Sequence, residues 1–292
     1  MKTAIIVDSN SGMTPADAKE HGIILLSMPF IVNGKVYHEH VDMDHETFFK
    51  KQVGGSEIMT SQPAFQEVTD LWNKVLREYD EIVHIPMSSG LSGSCASADM
   101  YDDEYDGKVQ VVNNQRISLT QRQSAINAKF MADHGMRAKA IKEKLEETRF
   151  DSHIYIMVDT MTYLKKGGRV TPAAAAIASV LNLKPVLQIN GEKLDAFAKC
   201  RGIKKAKSIM LEQAKKDVAS FGVSADGKPN CWLGIAHTDN QAEAEAFKKE
   251  LEAAFPGYDI RIDALPISIA VHIGPGSLAV TIEKVLPEGV QY

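Results

Sequence analysis

The sequence is poor in the features that mark the commoner functional classes. Three cysteines occur in 292 residues. Cys95, Cys200 and Cys231 lack the paired spacing of a disulfide framework or a zinc site, so they read as reduced thiols and no metal is expected. Positive charge is not in excess: 33 Lys and Arg stand against 38 Asp and Glu, a formal net charge of -5, which argues against coating a nucleic acid. The most apolar run, Ala173 to Leu181, is far shorter than the ~20 residues that span a bilayer. The chain reaches Asp8 too early for a secretory signal, so a cytoplasmic location is the expectation. The pattern G-x-x-x-x-G-K-[ST] is missing, as is G-x-G-x-x-G after the first apolar run, and no nucleotide cofactor is expected. Internal repeats and low-complexity segments are lacking too.

What is present is an ordinary globular composition, 44% hydrophobic and 24% charged, on a chain longer than a single core usually serves. Ala4 to Val7 is a short apolar run closed by Asp8-Ser9-Asn10-Ser11-Gly12, the pattern of a strand buried on both faces. Thr14-Pro15 predicts a capped helix start. Ile23 to Val32 reads as strand, and Asn33-Gly34 as a tight turn into Lys35-Val36-Tyr37. Asp44 caps a further helix, and the segment from Ala64 to Glu78 places Phe65, Val68, Leu71, Trp72 and Val75 at helical spacing. A strand at Ile82 to Ile85, a helix from about Ser92 and a strand at Val109 to Val112 follow. Strand and helix alternate, which implies a mostly parallel sheet with helices on both faces.

The second half differs in texture. Asn190-Gly191 joins Pro185 to Ile189 with Lys193 to Ala198 as a hairpin, so antiparallel pairing enters. Helices near 203–219 and 241–255 flank a strand at Trp232 to Ala236, and Ile267 to Ile273 reads as a further apolar strand ending near His272. The expected fold is α/β, with an N-terminal mostly parallel sheet and a C-terminal α/β domain with a mixed sheet. The boundary is placed near residue 153, giving domains 1–153 and 154–292.

Ligands of such sheets bind beyond the carboxyl ends of the strands. Two hydroxyl-rich corners fall there: Thr60-Ser61 before Pro63, and Ser88-Ser89-Gly90-Leu91-Ser92-Gly93-Ser94 after the run Ile82 to Ile85. Hydroxyls at helix starts are ordinarily plain caps, but two such corners together can bind a carboxylate or phosphate. His272 precedes Gly274-Pro275-Gly276, and its value depends on what it faces. A serine hydrolase built on Ser92 and His272, with Asp8 as the acid, is the alternative. Its G-x-S-x-G elbow is imperfect because the second glycine comes one position early. Basic clusters at 165–169 and 199–207 read first as solvated helix ends.

Asp8-Ser9, Thr60-Ser61-Gln62-Pro63, Ser88-Ser89-Gly90-Leu91-Ser92-Gly93, Gly167-Gly168-Arg169, Lys184-Pro185 and His272-Ile273-Gly274-Pro275-Gly276, in this order over nearly the whole chain, resemble the DegV family of fatty acid-binding (FakB-type) proteins. The resemblance implies two α/β domains with a fatty acid such as palmitate, stearate or oleate between them. It also implies a carrier that is not itself the catalyst, and that presents the acid to a separate fatty acid kinase making acyl-phosphate for phospholipid synthesis. Thr60, Ser92 and His272 are implied to hydrogen-bond the carboxylate, with the Gly93 backbone nearby, and Arg201 to face the kinase. The chain departs from the family's usual residues at Asn10-Ser11-Gly12-Met13, Ala64, Ser94-Cys95 and Asn113-Asn114-Gln115-Arg116, none of which removes a carboxylate donor. Ala173 to Leu181 is a candidate tunnel wall.

Overall fold

A computed structural model describes residues 1–177, 183–223 and 229–286. The chain opens with β1 (Thr3–Asp8), buried along its whole length and followed by a 3-10 turn at Ser9–Ser11. Helix α1 (Pro15–Glu20) starts as expected: Thr14 and Asp17 form a reciprocal capping box, each side chain accepting the other's backbone N–H at 3.1 Å. The run from Ile23 to Val32 is not one strand. It splits into β2 (Ile24–Leu26) and β3 (Pro29–Val32), which belong to different sheets. Pro29, which has no N–H to donate, begins the second piece. Asn33 and Gly34, at φ 49° and 79°, then turn the chain into β4 (Lys35–His38), the two positive φ values that a tight hairpin requires.

Asp44 caps α2 (His45–Val53) by accepting the Thr47 N–H at 2.7 Å. After β5 (Ile58–Thr60) come α3 (Phe65–Val75), β6 (Glu81–Ile85), α4 (Ser94–Asp102), β7 (Val109–Val111), α5 (Leu119–Asp133) and α6 (Ala138–Glu147). Strands β2-β1-β6-β7 form a parallel sheet in that order. Alternation along β1 divides its side chains between two layers. Ile5 and Val7 pack with α5 and α6 through Ala125, Met131, Ile141 and Leu145, whereas Ala4 and Ile6 pack with α3 and α4 through Val68, Trp72 and Cys95. Helices therefore cover both faces.

The chain continues through β8 (Ser152–Met157), α7 (Thr162–Gly167), α8 (Pro172–Ile177), β9 (Val186–Ile189), β10 (Asp195–Ala198), α9 (Ile203–Phe221), β11 (Cys231–His237), α10 (Gln241–Ala254), β12 (Ile260–Ala264), α11 (Ile267–Ile273) and β13 (Leu278–Lys284). Strands β10-β9-β8-β13-β11-β12 form a mixed sheet, antiparallel except for the β11–β12 pair. The hairpin around Asn190-Gly191 is its β9–β10 edge. One face, with Tyr155, Met157, Leu233, Ile235 and Val280, packs with α9 and α10. The other, with Ile154, Ile156, Ala236 and Ala279, meets Leu91, Ile117 and Leu119 from the first half of the chain.

Ile267 to Ile273 is the helix α11, not the strand that its apolar run suggests. Nearly every residue in it is buried, so no polar face reveals the helical period. One side packs with Phe30, Phe48 and Phe49, from the β4-β3-β5 sheet and α2. Gln52 Nε2 also donates to the Ala270 carbonyl at 3.0 Å.

Candidate functional site

The face of the mixed sheet turned away from α9 and α10, together with α11 and the corner after β6, encloses a cavity of about 1080 Å³, mouth included. Its floor is apolar: Ile154 and Ile156 from β8, Ile189, Leu194, Ala236 and Ala279, joined by Leu164 and Ile269. Its rim carries Thr60, Ser61, Gln62, Ser92, Gly93, Arg169 and His272. Ser61, Gln62 and Gly93 are exposed to solvent, whereas the floor residues Ile154, Ile156, Ala236 and Ala279 are buried. The cavity is therefore polar at its open end and oily within.

Each rim group is fixed from behind. Asp8, at the end of β1, accepts the Met87 N–H at 2.8 Å and Gln121 Nε2 at 2.9 Å, anchoring the start of the corner. Its complete burial raises its carboxyl to about 6, although these hydrogen bonds oppose the rise. Ser88 donates from Oγ to the Glu192 carbonyl at 3.0 Å and from its N–H to the Arg116 carbonyl at 2.9 Å, so the corner is clamped to the β9–β10 turn. Ser92 Oγ accepts the Ser94 N–H at 3.1 Å. No acceptor for its proton occurs among the described residues, so that proton is available to a ligand. A Cβ on Gly93 would lie 3.1 Å from Gln62 Oε1, so a glycine lets the two corners approach closely.

His272 Nε2 and Thr60 Oγ1 are 2.8 Å apart although 212 residues separate them in sequence. Gly167 is packed on the other ring nitrogen: a Cβ there would come 2.6 Å from His272 Nδ1. Burial, helped by the positive charge of Arg169, lowers the imidazole to about 4, so the ring is neutral at pH 7. A neutral imidazole has one proton to give. If it is on Nε2, His272 donates to Thr60, and the Thr60 hydroxyl is free to donate onward to an anion at the rim.

Thr60, Ser92, Gly93 and His272, separate in sequence, thus share one cavity. Arg201 does not: it is exposed two residues before α9. The described part of α8 contributes no lining residue, and residues 178–181 of the expected tunnel wall lie outside the described residues. Arg169 is a rim residue that charge counting assigned to a solvated helix end; its place in the Gly167-Gly168-Arg169 motif was the available signal. The hydrolase relay is not assembled. His272 Nε2 is engaged by Thr60, the Asp8 carboxylate by Met87, Asn10 and Gln121, and no carboxylate bonds His272 among the described residues.

The model of a family described as uncharacterised protein, DegV family, matches residues 2–285. The chain belongs to the DegV family. Among curated DegV relatives, protein DegV of Bacillus subtilis is 28% identical over 283 residues, covering 96% of this chain and 98% of its own. A DegV family protein from Thermus thermophilus, described for its fatty acid binding, superposes with a TM-score of 0.88 at 25% identity, covering 98% of this chain and 100% of its own. The crystal structure of Bacillus subtilis DegV, described as a fatty acid binding protein, superposes with a TM-score of 0.86 at 26% identity, covering 97% and 99%. The DegV fold is thus shared over essentially the full match. No helix among the described residues is long and apolar enough to cross a membrane, and none of their His, Cys, Asp and Glu side chains cluster to hold a metal ion.

Proposed function

We propose that this protein binds a long-chain fatty acid such as palmitate, stearate or oleate, tail on the sheet face and carboxylate at the rim. The observation that carries the reading is the polarity of the cavity: hydroxyls and an imidazole at the open end, mostly aliphatic side chains within. The fatty acid binding described for the Thermus and Bacillus proteins of the same fold supports it. Burying about 15 methylenes at about 0.8 kcal/mol each is worth a gross ~12 kcal/mol, against ~1.5–3 kcal/mol for each charge-assisted hydrogen bond at the head. The tail supplies affinity, and Thr60, Ser92, Gly93 and His272 select and place the carboxylate. Residues 1–153 and 154–292 are the two domains of this reading, with the ligand between them.

A carboxylate held at an open rim is accessible to a second protein. The protein is a carrier in the cytoplasm in this proposal. It offers the carboxylate to a fatty acid kinase that forms acyl-phosphate for phospholipid synthesis, and exposed Arg201 contributes to that encounter. The test is denaturation of the purified protein followed by mass spectrometry of the extracted lipid. A stoichiometric long-chain fatty acid is expected. Its absence, together with no binding of added palmitate or oleate, would refute the reading, and labelling of Ser92 by a fluorophosphonate would revive the hydrolase.

A further inference from the structure

The oily interior is interrupted at one place. Asn10, Ser118, Ser268 and Thr281 all line the cavity, and each is buried. They converge from four elements. The Asn10 carbonyl accepts the Ser118 N–H at 2.9 Å, and Asn10 Oδ1 accepts the Ser268 hydroxyl. Thr281 of β13 pairs with Gly234 of β11, where a Cβ would lie 2.9 Å from Thr281 Oγ1 and 2.7 Å from Leu119 Cδ1, so Leu119 at the start of α5 packs over Gly234 beside Thr281. Ser268 precedes His272 by four residues on α11, one turn or about 6 Å further along the helix.

Two of these groups have nothing to bond: among the described residues neither the Ser118 nor the Thr281 hydroxyl has a hydrogen-bond partner, whereas the Asn10 amide nitrogen is buried away from the cavity and its side chain lies beside the Asp8 carboxylate. An unbranched hydrocarbon tail would leave both hydroxyls desolvated and unpaired, which is unfavourable. An alcohol or carbonyl oxygen would accept from the Thr281 or Ser118 hydroxyl, and an alcohol would also donate to a hydroxyl oxygen. We propose that these residues form a second recognition point, selecting an acyl chain with an oxygen substituent, hydroxyl or oxo, part-way along its length. The proposal rests on the acyl-binding reading above and adds a preference within it. Sites that bond a ligand oxygen discriminate against the analogue lacking it, because their own polar groups are then left unpaired.

The experiment is competition between stearate and a series of monohydroxystearates, the hydroxyl moved along the chain, for the delipidated protein. At least one isomer, with its hydroxyl several carbons from the carboxyl, is expected to bind about 2- to 10-fold more tightly than stearate. Thr281→Val, which keeps the shape and removes the hydroxyl, is expected to tighten stearate and abolish that isomer's advantage, whereas Thr281→Ser retains the advantage. If every isomer binds no better than stearate, or if the preference survives Thr281→Val, the second recognition point is refuted while the acyl-binding reading stands. If neither stearate nor any isomer binds, it is the acyl-binding reading that fails.

Discussion

Replacing Gly90 with alanine tests how the site is held together. A Cβ there would lie 2.4 Å from both Cβ and O of Glu192 and 2.7 Å from its carbonyl carbon. These are not the far end of a flexible side chain, so the corner or the β9–β10 turn must move. The same junction carries the hydrogen bonds Ser88 Oγ to Glu192 O and Gln115 Nε2 to Glu192 Oε1, each 3.0 Å. Overpacking of this kind costs about 1–3 kcal/mol, and loss of the Ser88 bond adds about 0.5–1.5 kcal/mol. At roughly 2–4 °C per kcal/mol for a protein somewhat smaller than this one, Gly90→Ala lowers Tm by about 3–18 °C. Urea unfolding and calorimetry of Gly90→Ala and Ser88→Ala, side by side, separate the two contributions, since Ser88→Ala removes the bond without adding bulk. Ser92 and Gly93 lie on the same corner, so bound fatty acid should also dissociate faster from Gly90→Ala. A Gly90→Ala protein no less stable than Ser88→Ala would refute the clamp.

Four further outcomes are expected. With its imidazole lowered from 6.5 to about 4, His272 is unprotonated in the folded chain between those values, while the unfolded chain takes up a proton. Stability therefore falls as pH drops from 6.5 toward 4, and His272→Gln makes that fall shallower in urea titrations at pH 7 and pH 5. A bound carboxylate favours the imidazolium, so the His272 titration followed by NMR moves upward when palmitate is added; an unmoved midpoint would place the head group elsewhere. Thr60→Val weakens palmitate by about 10- to 100-fold, the equivalent of ~1.5–3 kcal/mol for one charge-assisted bond, and Thr60→Ser restores most of it in calorimetric titration. Arg201→Glu lowers the rate at which a fatty acid kinase uses the bound acid, most strongly at low salt, while fatty acid content by mass spectrometry stays at the wild-type level.

Much of the framework was legible because local chemistry and tertiary demand agree. Thr14-Pro15, Asp44 and Asn33-Gly34 each do what their side chains or backbone freedom favour, and the apolar runs of β1 and β6 are buried on both faces as a central parallel strand requires. The failures occur where burial removes the contrast that periodicity needs. Helix α11 shows no polar face, so only the four-residue spacing of Ser268 and His272 hints at its period. The segment from 23 to 32 has one continuous apolar character but serves two sheets, a division that depends on where the flanking strands lie. Strand β12 was not anticipated, since its Ile260-Arg261-Ile262-Asp263 alternation is short and sits between a helix and a proline. At the site, hydroxyls and histidine could be singled out as residue types, but the Thr60–His272 contact and the inward position of Arg169 are products of tertiary folding.

That contact has a consequence for biosynthesis. Thr60 leaves the ribosome early, and its partner follows 212 residues later; the floor of the cavity is finished only by Ala279 and Thr281 of β13, which pairs between β8 and β11. A nascent chain can complete its parallel sheet but has no complete cavity until translation has passed β13. Occupation of the cavity is therefore possible only after β13 has been made and the Thr60–His272 contact has formed.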